Sequence, residues 1–377
     1  MTTAKIDRFL AESGLRTPFL VVDLDVVAAQ YGTLRQLMPT AEIFYAVKAN
    51  PAREIISLLA DMGASFDVAS VAEVDMVLDL DVDPARLSYG NTIKKQADIA
   101  HAYERGVRLY TFDSEAELDK LAAAAPGSKV VCRILVNNCG ADWPLSRKFG
   151  CDADMARDLL RGAAARGLVP AGIAFHVGSQ QTRLEQWDDA VAQAAELFAA
   201  LEKDGIELQL LNIGGGLPAH YSDPVAGMDA YAMAIGGALS KHFGNRLPRT
   251  VVEPGRYIVG DAGVLQTEVV LISQKSYDDE VRWIYLDVGR FNGLAETEGE
   301  AIRYPIRTPW DGTETGPVVI AGPSCDSVDI IYERANYQMP LGLQIGDKLQ
   351  FMSTGAYTTT YSSVGFNGFD PLPSYYI

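Results

Sequence analysis

Two periods alternate along the first two thirds of the chain. Short apolar runs bounded by Gly, Pro, Asn or Asp predict strands at Ile43–Val47, Ser65–Val68, Arg86–Tyr89, Val107–Phe112, Lys129–Val136, Ala171–His176, Leu208–Ile213 and Thr250–Glu253. Between them, apolar residues recur at helical spacing over Ala52–Met62, Val71–Leu80, Lys95–Arg105, Glu115–Ala124, Met155–Arg166, Leu184–Asp204 and Val225–Phe243. A further helical stretch, Asp25–Met38, precedes the first strand. Ser70-x-x-Glu73 and Ser114-x-x-Glu117 each follow a strand directly and read as capping boxes. Eight strands with intervening helices over about 230 residues predict an α/β fold, a (β/α)8 barrel, with an open doubly wound sheet as the competing arrangement.

Beyond Gly260 the pattern changes. Val264–Ser273, Arg282–Asp287, Val318–Ile320 and Lys348–Met352 are β-like and separated by Gly, Pro and Asp turns, with a helical period only near Asp326–Arg334. This predicts a C-terminal, mainly antiparallel β domain, with the early run Thr17–Asp23 adding a strand. The expected division is a barrel over residues 24–260 and a β domain built from 1–23 and 261–377.

Length and charge narrow the class. The 377 residues suit one large barrel plus a smaller domain. A net charge of −17 argues against nucleic acid or an anionic membrane as partner and suits small cationic molecules. No run is apolar enough to span a membrane, and the N-terminus lacks the apolar core of a secretory signal. Cys132, Cys139, Cys151 and Cys325 form no CxxC pair, which suits reduced thiols and a cytoplasmic location. Neither they nor the four histidines show metal-ligand spacing, so no metal is expected.

Barrel sites form at the C-terminal ends of strands. Here those ends carry Lys48, Asp67, Gly90–Asn91, His176, the run Gly214-Gly215-Gly216, and Glu253-Pro254-Gly255-Arg256. Each has a structural reading. Lys48 is a snorkelling rim cation or a lysine whose burial lowers its pKa toward nucleophilic competence. Asp67 is a helix cap or a site acid, His176 a satisfied core histidine or a ring platform. Arg256 is the ion partner of Glu253 or an anion ligand. Taken together on one rim they suggest specific chemistry. Glycine N–H groups and a forked guanidinium suit a phosphate, and a lysine beside them suits pyridoxal phosphate bound covalently, with Glu253 against the pyridine nitrogen.

The motifs YAVKANP, FDVAS, HVGSQ, GGGLP, EPGRYIV, GPSCDSVD and GAYT occur in the order and approximate spacing of a known family. Over nearly its whole length the chain resembles the barrel-type (fold type III) PLP-dependent decarboxylases of ornithine, lysine, arginine and diaminopimelate, whose architecture is similar to that of alanine racemase. The resemblance implies that Lys48 binds the cofactor covalently, that Glu253 faces the pyridinium nitrogen and that His176 stacks on the ring. It implies phosphate ligands in Ser179, Gly216, Gly255, Arg256 and Tyr357, beside Gly214 and Gly215 of the same run, and a supporting role for Asp67 beside the lysine. In GPSCDSVD it makes Cys325 the proton donor to Cα and Asp326 a contact to the substrate's distal amine. Both reach, in that family, across a homodimer interface.

The implied activity is decarboxylation of a basic L-amino acid, with L-ornithine to putrescine in polyamine biosynthesis foremost and a dual lysine/ornithine enzyme next. Diaminopimelate enzymes carry CES where Cys325-Asp326-Ser327 stands, and an aspartate there favours a distal ammonium over a carboxylate. The stretch FNGLAETEGEAIRYP looks like bacterial ornithine or lysine/ornithine enzymes; it makes Glu296 a partner for a distal cation or a helix-surface acid. Phe366 is a further candidate substrate contact. Two other classes compete. Alanine racemases set an arginine against the ring nitrogen, where Glu253 stands here. Non-catalytic PLP-binding or inhibitor proteins lack the β domain or the catalytic residues.

Overall fold

The computed structural model describes residues 2–143 and 148–377. Eight parallel strands close into a ring: β1 (Ala41–Ala46), β2 (Ser65–Val68), β3 (Leu87–Tyr89), β4 (Leu109–Phe112), β5 (Lys129–Arg133), β6 (Val169–Ala174), β7 (Leu210–Asn212) and β8 (Arg249–Val252). Each pairs with its neighbour, and β8 returns to β1, with Thr250 opposite Ala41 and Val252 opposite Ile43. Closure leaves the barrel without an edge strand. Because both faces of such a sheet are covered, its strands are apolar nearly throughout.

Phe44 of β1 and Val131 of β5 belong to one buried cluster with Ala171, Ala174, Leu210 and Val251. The cluster runs through the five neighbouring strands β5, β6, β7, β8 and β1, so one apolar seam joins half the ring. Gly172 is required by the same packing. A Cβ there would lie 1.9 Å from the carbonyl oxygen of Leu210 on β7. The strands are shorter than the apolar runs: β5 stops at Arg133 and β7 at Asn212, so both polar residues fall at strand ends. A small antiparallel pair, Ala141–Trp143 with Ser179–Gln181, has no counterpart in the apolar pattern.

The predicted helices form with ends moved by a few residues, as Arg53–Asp61, Val71–Leu78, Gln96–Glu104, Glu115–Ala124, Ala153–Ala165, Gln186–Lys203 and Met228–Phe243 show. Ser70 caps its helix by accepting the Glu73 N–H at 3.3 Å, and Glu73 accepts the Ala69 N–H at 2.6 Å. The second capping box does not form. Ser114 makes no side-chain cap, and the Glu117 carboxylate, which would complete the box, turns inward to the ammonium of Lys94 at 3.1 Å and to Lys120 at 2.5 Å. Lys94 also donates to the carbonyls of Asn91 and Thr111, both at 2.7 Å, which ties the loop after β3 to the end of β4. Burial pulls Lys94 down to about 8, against the pull of Glu117.

Contacts divide the chain into two compact units. Residues 28–218 and 225–255 form the barrel unit, and residues 1–27, 219–224 and 256–377 form the other. The second unit holds a nine-stranded sheet. Most of its pairs are antiparallel; the exceptions are Phe19–Val22 with Ser374–Tyr376 and Arg282–Leu286 with Thr315–Ala321. The early strand is the run at Phe19–Val22, which pairs with Gly263–Ser273. An N-terminal helix, Ala4–Glu12, capped by Thr3, packs Ile6 against Phe19, Val21, Val264 and Met352. Near residues 326–334 the expected helix is replaced by turns and the strand Ile330–Tyr332. Asp326 there accepts the N–H of Val328, two residues on, and this local bond competes with a helix. Among the described residues no helix is long and apolar enough to cross a membrane.

Glu117 neutralises an ammonium that is fully buried, so removing the acid strands a charge. Glu117→Leu is expected to lower stability by about 3–5 kcal/mol in urea unfolding. A loss below about 1 kcal/mol would place the pair among solvated surface bridges.

Candidate active site

β1 delivers Lys48 through a short turn, Val47–Ala49, in which Val47 and Ala49 are buried. The turn is pinned on both sides. Tyr45 donates its hydroxyl to the Asn50 carbonyl at 2.9 Å, and Asn50 Oδ1 accepts the Ala52 N–H at 3.2 Å. The Lys48 side chain stays 48% exposed, and its Nζ lies 3.1 Å from Oδ2 of Asp67. The register explains the meeting, since Ala46 on β1 sits opposite Asp67 on β2. Asp67 is buried, and its second oxygen, Oδ1, has no hydrogen-bond partner among the described residues. That oxygen also accounts for Gly90 at the end of β3. A Cβ at Gly90 would lie 2.0 Å from it.

Closure of the ring brings the last strand beside the first. The Ala46 N–H donates to the Pro254 carbonyl at 3.1 Å, so Glu253 stands on the same rim as Lys48. Asn212 at the end of β7 holds Glu253. Its Oδ1 accepts the Gly214 N–H at 2.9 Å, which turns its amide NH2 toward Glu253 Oε1. Loss of hydration and the nearby charge of Asp67 push Glu253 up to about 7, while Lys48, Asn212 and Arg133 pull it back. His176, at the end of β6, is held well below its ordinary value by burial and by the charges of Arg133 and Lys48. It is therefore neutral. Its Nδ1 accepts the Gly178 N–H at 3.0 Å, which leaves the ring proton on Nε2.

The glycine run is shaped by close approach of backbone. Gly214 and Gly216 have φ of +67° and +102°. A Cβ at Gly214 would lie 2.2 Å from Phe175 O, at Gly215 2.6 Å from Glu253 O, and at Gly216 2.5 Å from Gly178 O. Ser179 opens the small antiparallel pair just past His176. Gly255 fits against the Lys48 turn, where a Cβ would meet that of Ala49 at 2.8 Å.

Four residues here escaped the motif reading. Asn212 orients Glu253. Arg133 raises the local positive potential acting on His176 and Glu253. Asn138 donates to the His176 carbonyl at 3.2 Å. Glu73, read only as a cap, lies close enough to Lys48 and Asp67 to feel both charges. For Arg133 and Asn212 the signal was present: each is polar inside a run otherwise apolar enough for a core strand.

The sheet unit holds the remaining candidates. Arg256 is buried and grips Glu296 with both terminal nitrogens, at 2.6 and 2.7 Å, while also donating to the Tyr221 hydroxyl at 2.7 Å. The ring of Tyr357 lies 4.8 Å from the guanidinium. Burial alone would depress Arg256, yet the Glu296 carboxylate holds it well above its ordinary value. Glu296 is therefore no helix-surface acid: it is buried and both its oxygens are engaged. Cys325 and Asp326 are exposed, and the Cys325 N–H donates to Asn367 Oδ1 at 3.0 Å. Phe366 packs on Phe291 with ring centroids 4.7 Å apart.

Comparison with known proteins gives a consistent result. Residues 24–260 match the family model described as pyridoxal-dependent decarboxylase, pyridoxal binding domain. The lysine/ornithine decarboxylase of Selenomonas ruminantium is 38% identical over 360 residues, which cover 95% of this chain and 89% of that one. Among solved structures, SrLDC in complex with PLP and cadaverine is 36% identical, with a TM-score of 0.89 over 99% of this chain and 93% of that one. The arginine decarboxylase of Paramecium bursaria Chlorella virus is 30% identical, with a TM-score of 0.90 over 99% and 100%.

The barrel residues suit pyridoxal phosphate. The cofactor needs a primary amine for covalent attachment and a carboxylate for its ring nitrogen. Lys48 and Glu253 offer a primary amine and a carboxylate on one rim, and among the described residues the buried Asp67 Oδ1 meets no donor. The chain belongs to the pyridoxal-dependent decarboxylases of basic amino acids, carboxy-lyases that work with pyridoxal 5'-phosphate.

Proposed function

We propose that this chain converts L-ornithine to putrescine, a polyamine precursor, with L-lysine as a second substrate. The observation that carries the chemistry is the convergence of Lys48, Asp67, His176 and Glu253 on one barrel rim. The preference for a diamine product is supported by Asp326, an exposed carboxylate suited to a distal ammonium, and by the name of the Selenomonas relative.

When bound, pyridoxal phosphate supplies an electron sink for the pair left on Cα as CO2 departs. Each protein group has a defined part. Lys48 is the covalent anchor, and Asp67 orients its amine. Glu253, ionised, would keep a proton on the cofactor's ring nitrogen, and His176, neutral and flat, would support its ring. The glycine run with Ser179 and Gly255 would take the phosphate, and Arg256 and Tyr357 are proposed as further ligands of that group. Glu296 is proposed to act through Arg256, since both its oxygens are engaged there. Cys325 returns a proton to Cα, Asp326 recognises the distal ammonium, and Phe366 supplies apolar contact. The exposure of Cys325 and Asp326 supports their reaching into a partner's site in a homodimer. We also place the protein in the cytoplasm, a reading supported by its four free cysteines.

Lys48→Ala is expected to lower turnover by at least ~10⁴-fold. Incubating the PLP-loaded protein with ornithine, lysine, arginine and diaminopimelate in parallel should give putrescine fastest and cadaverine second. Agmatine as the main product would overturn the substrate assignment.

Glu253 also makes a pH prediction for the cofactor-free protein. Between pH 4.5 and about 7 the folded state keeps a proton that the unfolded chain has released. Folding is then linked to proton uptake at Glu253, whose contribution to stability falls by about 3 kcal/mol as pH rises through that window, while His176, held neutral in the folded state, contributes in the opposite sense. Glu253→Gln removes only the first contribution, so in urea unfolding the change in stability from pH 5 to pH 8 should be about 3 kcal/mol more positive in the variant than in wild type. A slope equal to wild type would show that Glu253 titrates normally.

A further inference from the structure

The residues proposed to act on substrate from the sheet unit, Cys325 and Asp326, sit in an exposed stretch, Cys325–Val328, flanked by buried Gly322 and Asp329. Both side chains are exposed, so their placement depends on the backbone beneath them. That backbone is tied by the Cys325 N–H to Asn367 Oδ1 and by the Val328 N–H to Asp326 Oδ1, and below these lies one buried carboxylate with several bonds to the loop and its neighbour. Oδ1 of Asp329 accepts the Arg290 N–H at 2.8 Å, and Oδ2 accepts the Ser324 N–H at 3.0 Å and the Ser324 hydroxyl at 2.7 Å. The Asp329 main chain closes the same loop, with its N–H on Asp326 O at 3.1 Å and its carbonyl accepting the Gly322 N–H at 2.8 Å. Two glycines make room for the carboxylate. A Cβ would lie 2.2 Å from Asp329 Oδ1 at Gly289 and 2.4 Å from it at Gly322.

Arg290 contributes its backbone N–H to this carboxylate. Its guanidinium adds a second tie, to the Val328 carbonyl of the same loop, and pairs with Glu298. The carboxylate is thus held by two backbone N–H groups and a hydroxyl, and it bolts the Cys325 loop to the separate turn at Gly289–Arg290. We propose that Asp329 is the positioning residue for Cys325 and Asp326, setting where the thiol and the distal carboxylate stand. Its importance for the reaction rests on the function proposed above; the loop's dependence on Asp329 does not.

The geometry supplies a discriminating variant, Asp329→Asn. Each carboxylate oxygen faces a backbone N–H, which cannot turn round to accept. The side-chain amide of that variant would therefore set its NH2 against one of them in either orientation, without opening a cavity. Asp329→Asn tests the acceptor, and Gly322→Ala tests the same contact by crowding an intact carboxylate. Both are compared with wild type as PLP-loaded protein. The readouts are alkylation of Cys325 by iodoacetamide, followed by peptide mass mapping, together with KM, kcat and melting temperature. In both variants Cys325 alkylation is expected to rise about threefold or more, as the loosened loop no longer holds the thiol in one orientation. KM for ornithine should rise about tenfold as Asp326 loses its place. Ser324→Ala, which removes only the hydroxyl donor, should move both readouts the same way by a smaller factor, and serves if the other variants do not fold. Unchanged alkylation and KM in the folded variants would overturn the proposal, as would a lowered melting temperature with those readouts unmoved. Faster alkylation with normal ornithine turnover would uphold the positioning role while sinking the function assigned to Cys325 and Asp326.

Discussion

Closure of the ring between β8 and β1 is the constraint on which the barrel site depends. One backbone bond marks it, from the Ala46 N–H to the Pro254 carbonyl. Lys48 follows Ala46 by two residues and Glu253 precedes Pro254 by one. Residues remote along the chain thus share a rim because parallel strands end together and the last strand must meet the first. The interior is filled by Phe44, Val131 and their partners, so the strand ends are where ionisable side chains find room.

What gathers there is a balance of charges, and no single ion pair defines it. Asp67 and Glu253 are both acids on one rim, and burial together with the charge of Asp67 makes the Glu253 charge costly. Lys48, Arg133 and the Asn212 amide offset this, so that Glu253 stands near 7, while the same cations keep His176 neutral. A carboxylate poised in this way responds strongly to a cationic ring nitrogen placed beside it. The contrast lies within the sheet unit, where Arg256 is locked in its charged form by the fork to Glu296. One cluster is poised to change protonation and the other is built to keep it.

The local signals that misled share one cause. Ser114 stands where a cap belongs, but its partner Glu117 has a stronger claim on it in the buried ammonium of Lys94. Asp326–Arg334 has a helical period, but aspartates at 326 and 329 bind backbone N–H groups and fold the segment into turns. Glu296 lies in a polar stretch that suggests a surface, yet it is the counter-ion of a buried arginine. In each case a side chain that propensity assigns to its neighbours in the chain was captured by a group that the local pattern does not show.

Strand and helix order, the change of pattern after Gly260, and the positions of Lys48, Asp67, His176 and Glu253 at strand ends were readable from residue order, because period and punctuation are local properties of a chain. Ring closure, the Glu253–Asn212 contact, the field of Arg133 and the bolt at Asp329 were not. They depend on distances between segments that no spacing along the chain encodes. Charge state belongs with them, since the same Glu or His titrates differently once water is removed and a second charge stands a few ångströms away.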